Sequence, residues 1–101
     1  MAYNTMMKAK KLLDSKHAFD DGAIQQLVIW DLPKPVFGSQ HHYKYSLYYG
    51  KNGERIVGYD NERGKGDHKH IHGQEYPYTF SGLDVLVRDF LDDVKRVKHE
   101  R

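Results

Sequence analysis

The sequence contains no cysteine. That excludes disulfides, cysteine nucleophiles and thiolate zinc sites, and it suits a cytoplasmic protein, the location expected here. No apolar run approaches the ~20 residues of a membrane span, so no membrane partner is expected. The basic opening MAYNTMMKAKK is followed by no apolar stretch of the kind a secretion signal needs. An excess of one charge sign is also missing, with 16 Lys and Arg against 14 Asp and Glu. A net charge of +2 does not by itself point to nucleic acid. Internal repeats, low-complexity segments and linkers are missing, and 101 residues allow one domain with one core.

Histidine and tyrosine are plentiful instead. The chain has eight tyrosines, and five of its seven histidines lie in residues 41–72. That window also carries Lys44, Lys51, Arg55, Arg63, Lys65 and Lys69 against Glu54, Asp60, Glu62 and Asp67, so the middle of the chain is mildly basic. It becomes more so below pH ~6.5, where imidazoles charge.

Asp21-Gly22 and Asn52-Gly53 are hairpin signals, because a type I′ turn needs positive φ at both central residues. With Asp21-Gly22 as a two-residue loop, Phe19 faces Ile24, Ser15 faces Val28 and Leu13 faces Trp30. Leu13, Phe19, Ile24, Val28 and Trp30 then form an apolar face. Residues 8–19 read as one strand and AIQQLVIWDL as the next, while PKPVFGSQ reads as a loop. Around Asn52-Gly53, Lys51 faces Glu54, Tyr49 faces Ile56 and Leu47 faces Gly58. That register places Tyr43, Tyr45, Leu47, Tyr49 and Ile56 on the core side. Lys44, Ser46, Tyr48, Val57 and Tyr59 fall on an open working surface.

Residues 60–67 read as a glycine-broken loop, HKHIH as a short strand and GQEYPY as a turn. Leu83, Leu86, Val87, Phe90, Leu91, Val94 and Val97 recur at helical spacing after Ser81, a candidate cap with Asp84 three residues on. The expectation is an α+β fold in one domain, residues 1–101. An antiparallel sheet of about five strands, with two hairpins, carries a long helix, residues 81–98, on one face; residues 1–7 form a loose leading segment.

The stretch GYDNERGKGDHKHIHG carries the candidate chemistry. In one reading Gly64, Lys65 and Gly66 cradle an oxyanion with backbone amides and an ammonium. No P-loop pattern is present, and an exposed turn accounts for the same residues. In a second reading His68 and His70 share a strand face, ~6.5–7 Å apart at Cα. One imidazole takes the proton of a ribose 2′-hydroxyl and the other protonates the departing 5′-oxygen. Lys65, Arg63 or Lys69 then neutralises charge on phosphorus, and Asp67 or Asp60 orients a ring. This chemistry needs no metal or other cofactor. In a third reading His68, His70 and His72, or two of them with Asp60 or Asp67, hold a divalent metal for a metal-dependent phosphodiesterase. Asp60 and Asn61 also suit turn formation. Tyr48 and Tyr59 on the open face are placed to stack on bases, with Lys44 beside them.

FDDGAIQQLVIWDLPKPVFGSQHHYKYSL, GYDNERGKGDHKHI and EYPYTFSGLDVLVRDFLDDV together resemble the TumE-like family, over roughly residues 8–97. The most specific part, GYDNxxGKGDHxHI, matches Gly58 through Ile71 without a gap. The resemblance implies a toxin component of a type II toxin–antitoxin pair. It implies a cognate antitoxin as partner, a helix-turn-helix DNA-binding protein. RNA as substrate follows by analogy with other small toxins, as an endoribonuclease or as a non-catalytic RNA- or protein-binding module. A homodimer is compatible with it. The motif positions carried over are Tyr59, Asp60, Asn61, Gly64, Lys65, Gly66, Asp67, His68 and His70. His72 and Met1 to Met6 lie outside the resemblance, and Met6 or Met7 is an alternative start.

Overall fold

The computed structural model describes residues 8–100; the leading segment and alternative start discussed above lie outside them. Six strands form one antiparallel meander in chain order. They are β1 (Lys10–Ala18), β2 (Ile24–Asp31), β3 (Tyr43–Lys51), β4 (Glu54–Asp60), β5 (His68–Ile71) and β6 (Gln74–Pro77). One helix, α1 (Leu83–Lys98), follows and packs across β4. The α+β expectation holds, with six strands rather than five. The extra strand is β6, within the segment read as a turn. His72 and Gly73 both adopt positive φ (50° and 82°) and close a tight β5–β6 hairpin. A histidine in the left-handed region is uncommon, so little in the residue pattern warns of this turn.

The first hairpin differs by one residue from the expected register. The loop is longer than Asp21-Gly22: Phe19 N–H donates to the Ala23 carbonyl at 2.8 Å, and Asp21 Oδ1 accepts from Ala23 N–H at 3.0 Å. Ala18 therefore pairs with Ile24, Ser15 with Leu27 and Leu13 with Ile29. Because side chains alternate, the shift exchanges the faces of β2. Leu27 and Ile29 enter the core instead of Val28 and Trp30.

The second hairpin turns at Asn52-Gly53 with Lys51 opposite Glu54, as expected. A bulge then intervenes between Tyr49 and Gly50, leaving Ile56 as the extra residue on β4: Gly50 pairs with Arg55, but Tyr49 pairs with Val57. Leu47 pairs with Tyr59 and Tyr48 with Gly58. Val57 and Tyr59 are thereby turned into the core, not onto the open face. The core comprises Leu27, Ile29, Tyr45, Leu47, Tyr49, Val57 and Tyr59 from the sheet with Leu86, Phe90 and Val94 from α1.

Helix α1 starts at Leu83 with Gly82 in the cap position and no side-chain cap, so Ser81 does not serve there. The helix is held by its apolar stripe and by Asp93, which is buried. Tyr59 donates its hydroxyl to Asp93 Oδ2, Lys69 Nζ donates to the same oxygen at 3.2 Å, and Arg96 donates to Oδ1. Burial alone would raise the Asp93 pKa; the hydrogen bonds from Tyr59 and Lys69 outweigh it, and the group lies below its ordinary value. Burial and the same contact push the Tyr59 hydroxyl well above the usual phenol range. No helix among the described residues is long and apolar enough to cross a membrane.

Candidate active site

The side of the sheet away from α1 carries the histidine pair. β5 pairs with β4 so that His68 lies opposite Asp60 and His70 opposite Gly58, while Lys69 lies opposite Tyr59. Alternation then puts Asp60, His68 and His70 on one face and Tyr59 and Lys69 on the other. The two imidazole rings meet edge to face with centroids 5.1 Å apart.

His68 is enclosed, with 3% of its surface exposed. Its Nδ1 lies 3.1 Å from the Gly66 carbonyl oxygen. Its Nε2 lies 2.6 Å from Asp60 Oδ1. That carboxylate oxygen is buried and, among the described residues, has no hydrogen-bond partner of good geometry despite the short distance. His70 is half-buried. Its pKa is held below the ordinary imidazole value by burial first, then by the positive charge of Arg55 and by His68.

Two cations stand at the rim. Gly58 has no side chain, and Arg55 lies across it; a Cβ there would meet Arg55 Cδ at 2.6 Å. Lys65 Nζ is 3.5 Å from Glu75 Oε1, and Glu75 pairs with His70. Arg55 was not among the sequence-predicted site residues. The signal available was Gly58 itself, since a glycine inside a strand marks a place where another group lies close.

Other sequence-predicted residues sit elsewhere. Asp67 does not orient His68 or His70. It binds His41 Nε2 at 2.7 Å, accepts from Tyr45 Oη at 2.7 Å and accepts from Ser39 Oγ at 3.4 Å. His41 stacks on Phe80 with centroids 3.9 Å apart, and its Nδ1 accepts from Tyr43 N–H. The depression lined by Gly38, Gln40, His41, Asp67 and Phe80 thus has its imidazole and carboxylate engaged internally. Tyr45, desolvated and bonded to Asp67, has its pKa raised far above the phenol range.

Asn61 is fully buried; its Oδ1 accepts from Tyr45 N–H at 3.0 Å and its Nδ2 donates to the Tyr43 carbonyl at 2.6 Å. It prolongs the β3–β4 ladder with its side chain. Gly64 donates its N–H to the Phe37 carbonyl at 2.6 Å, and a Cβ at Gly38 would meet Gly64 C at 3.1 Å. The glycines Gly64 and Gly66, at φ 83° and 73°, let residues 62–67 pack against residues 36–39. Arg63 lies over the Phe37 ring in the same contact. Lys69 is drawn to Asp93 on the helix side. Lys44 pairs with Trp30 and Tyr48 with Gly58, both on the histidine face, although Tyr48 leans toward Gly50. His72, in its turn, binds Glu100 at 2.8 Å, so the three-histidine metal set does not assemble. Among the described residues Asp60, His68 and His70 are the group of potential ligands that does, their donor atoms all within 4.8 Å of one another.

The fold and site together are those of a small antiparallel sheet backed by one helix, with a histidine–carboxylate cluster and two cations on the uncovered side. The family described as Toxin TumE matches residues 8–98. The chain therefore belongs to the TumE toxin family, whose members are toxins of toxin–antitoxin systems and have a cognate antitoxin as partner. No curated protein and no solved structure matches it.

Proposed function

We propose that this toxin acts on RNA, cutting the strand at the face that carries Asp60, His68 and His70. The observation that supports this most is the convergence of His70, reachable from solvent and weighted toward its neutral form, with Arg55 across Gly58 and with Lys65 held by Glu75 opposite His70. A phosphodiester placed beside Arg55 and His70 meets a guanidinium and an imidazole. The reaction is transesterification. The ribose O2′ bonds to phosphorus as the P–O5′ bond breaks, the electron pair leaves with O5′, and the proton lost from O2′ is balanced by one gained at O5′. The products are a 2′,3′-cyclic phosphate end and a 5′-hydroxyl end.

On this reading the two histidines have unequal parts. Both nitrogens of His68 face protein oxygens and the ring is enclosed, so it positions the cluster and does not exchange protons with substrate. His70 is the group that meets RNA. The test is incubation of purified protein with an RNA oligonucleotide and its all-deoxy counterpart. RNA should be cut with the ends named above and the deoxy strand should stay intact. His70→Ala should slow cleavage by about 10²-fold or more. RNA left whole after prolonged incubation, or full-rate cutting by His70→Ala, overturns the reading.

A further inference from the structure

We propose that Asp60, His68 and His70 form a binding site for one divalent transition-metal ion. Three observations carry it. First, a carbonyl only accepts, so the 3.1 Å contact with Gly66 O places the proton of a neutral His68 on Nδ1. A backbone carbonyl on one imidazole nitrogen is the arrangement that frees and orients the other nitrogen as a ligand. Second, that other nitrogen, Nε2, then holds a lone pair 2.6 Å from Asp60 Oδ1, itself buried and without a hydrogen bond. Two acceptors at that distance repel each other, and a cation between them turns repulsion into binding. Third, the side-chain donor of His70 completes a set of three within 4.8 Å.

Filled zinc sites hold donors about 2.0–2.2 Å from the ion, so modest rotation of the side chains closes this group around one. Three protein ligands leave a position open for water or a phosphate oxygen, the pattern of catalytic and not structural sites. Two imidazoles and a carboxylate select Zn²⁺ or Mn²⁺ over Mg²⁺ and Ca²⁺, which prefer all-oxygen ligands. The cross-strand pairing explains why the set is compact: Asp60 lies opposite His68, and His70 is the next residue on that face. The ion's use in cutting RNA rests on the reading above: it would polarise the scissile phosphate, with His70 then serving as its ligand in place of exchanging protons. Its binding does not.

The experiment is isothermal titration of the full chain, stripped with EDTA and dialysed, with ZnCl₂ and with MnCl₂, and no RNA present. One equivalent of ion should bind. His70→Ala and Asp60→Asn should each weaken binding by more than about 10²-fold, beyond the 10–100-fold typical of a supporting outer group. His72→Ala and His42→Ala should leave that binding unchanged. Far-ultraviolet circular dichroism verifies that each variant is folded, and half-buried His70 is the safer of the two ligand positions to alter. Absence of saturable binding, or binding that survives both ligand changes and falls in His72→Ala, overturns the site. RNA cut at full rate by the stripped protein overturns the ion's part in cleavage and leaves the ribonuclease reading intact. One-to-one binding with RNA left whole supports the site and overturns the ribonuclease.

Discussion

Replacing Asp93 by alanine tests how α1 is fastened to the sheet. The carboxylate is 96% enclosed, its side chain retaining 4% exposure, and it accepts from Tyr59, Lys69 and Arg96. Truncation leaves the Tyr59 hydroxyl, on a residue 1% exposed, without a partner, at about 1–3 kcal/mol. Lys69, at 29% exposure, can turn toward water, so its lost ion pair adds only about 0.5–1 kcal/mol. Arg96 is largely exposed and adds little. Alanine returns roughly 0.5 kcal/mol of helix propensity. The net loss is about 1–3.5 kcal/mol, which in a domain of this size lowers Tm by about 4–8 °C for each kcal/mol. Urea unfolding at pH 7 measures it. The dependence on pH has a definite sign. Asp93 titrates below its unfolded value in the folded state, so its contribution is fully present above the unfolded pKa of about 3.9. It disappears as pH falls through the folded pKa. The gap between wild type and Asp93→Ala should therefore be constant from pH 7 to about 5 and close below about 4. In a cycle with Tyr59→Phe, the two changes should couple by about 1 kcal/mol or more. A loss under 1 kcal/mol, or strictly additive changes, would refute the idea that a buried carboxylate pins the helix.

Four further outcomes follow from the same structure. Asn61→Ala removes both hydrogen bonds that continue the β3–β4 ladder and should cost about 2–3 kcal/mol in urea unfolding. Asp67→Asn weakens charge-assisted bonds to His41 and Tyr45, so it should lower stability by about 1.5–3 kcal/mol. Its rate per folded molecule on RNA should stay within a few-fold of wild type, because Asp67 lies away from the histidine pair. Gly50→Ala places a Cβ 2.5 Å from the Glu54 carbonyl oxygen and should destabilise by about 1–3 kcal/mol, read as a drop in Tm. In cells producing the protein without antitoxin, His70→Ala should relieve growth inhibition while His42→Ala should not; equal toxicity of both variants argues against the assigned face.

Much of the fold was legible because periodicity survives local error. The helical spacing of Leu86, Phe90 and Val94 and the Asn52-Gly53 turn each have one reading. The faces of β2 and β4 did not. Each depends on a single residue, the extra length of the 19–23 loop and the bulge at Ile56, and neither leaves a mark in composition. The same bulge explains the unequal record at the site. His68 and His70 were placed on one face by simple alternation within a short strand. Tyr59 was misplaced because its face was counted through the bulge. Asp67 and Asp60 were both candidates to orient an imidazole, and only β4–β5 pairing decides between them. Lys69, Asn61 and Arg63 looked available in sequence because nothing there reveals Asp93, Tyr45 or Phe37 as their partners.

The bulge at Ile56 also acts as a parity bit for the whole molecule. An odd count between the Asn52-Gly53 turn and β5 sends Tyr59 to the oily side and leaves Asp60 beside the histidines. Deleting that one residue would straighten the strand and keep both in place, since Gly50 would still pair with Arg55 and Tyr49 with Val57; flattening the bulge with Ile56 retained would instead interchange the two, setting a phenol among the imidazoles and a carboxylate under the helix. One-residue deletions in β4 should thus be tolerated better than one-residue insertions, because loss of the bulge can absorb the first and not the second.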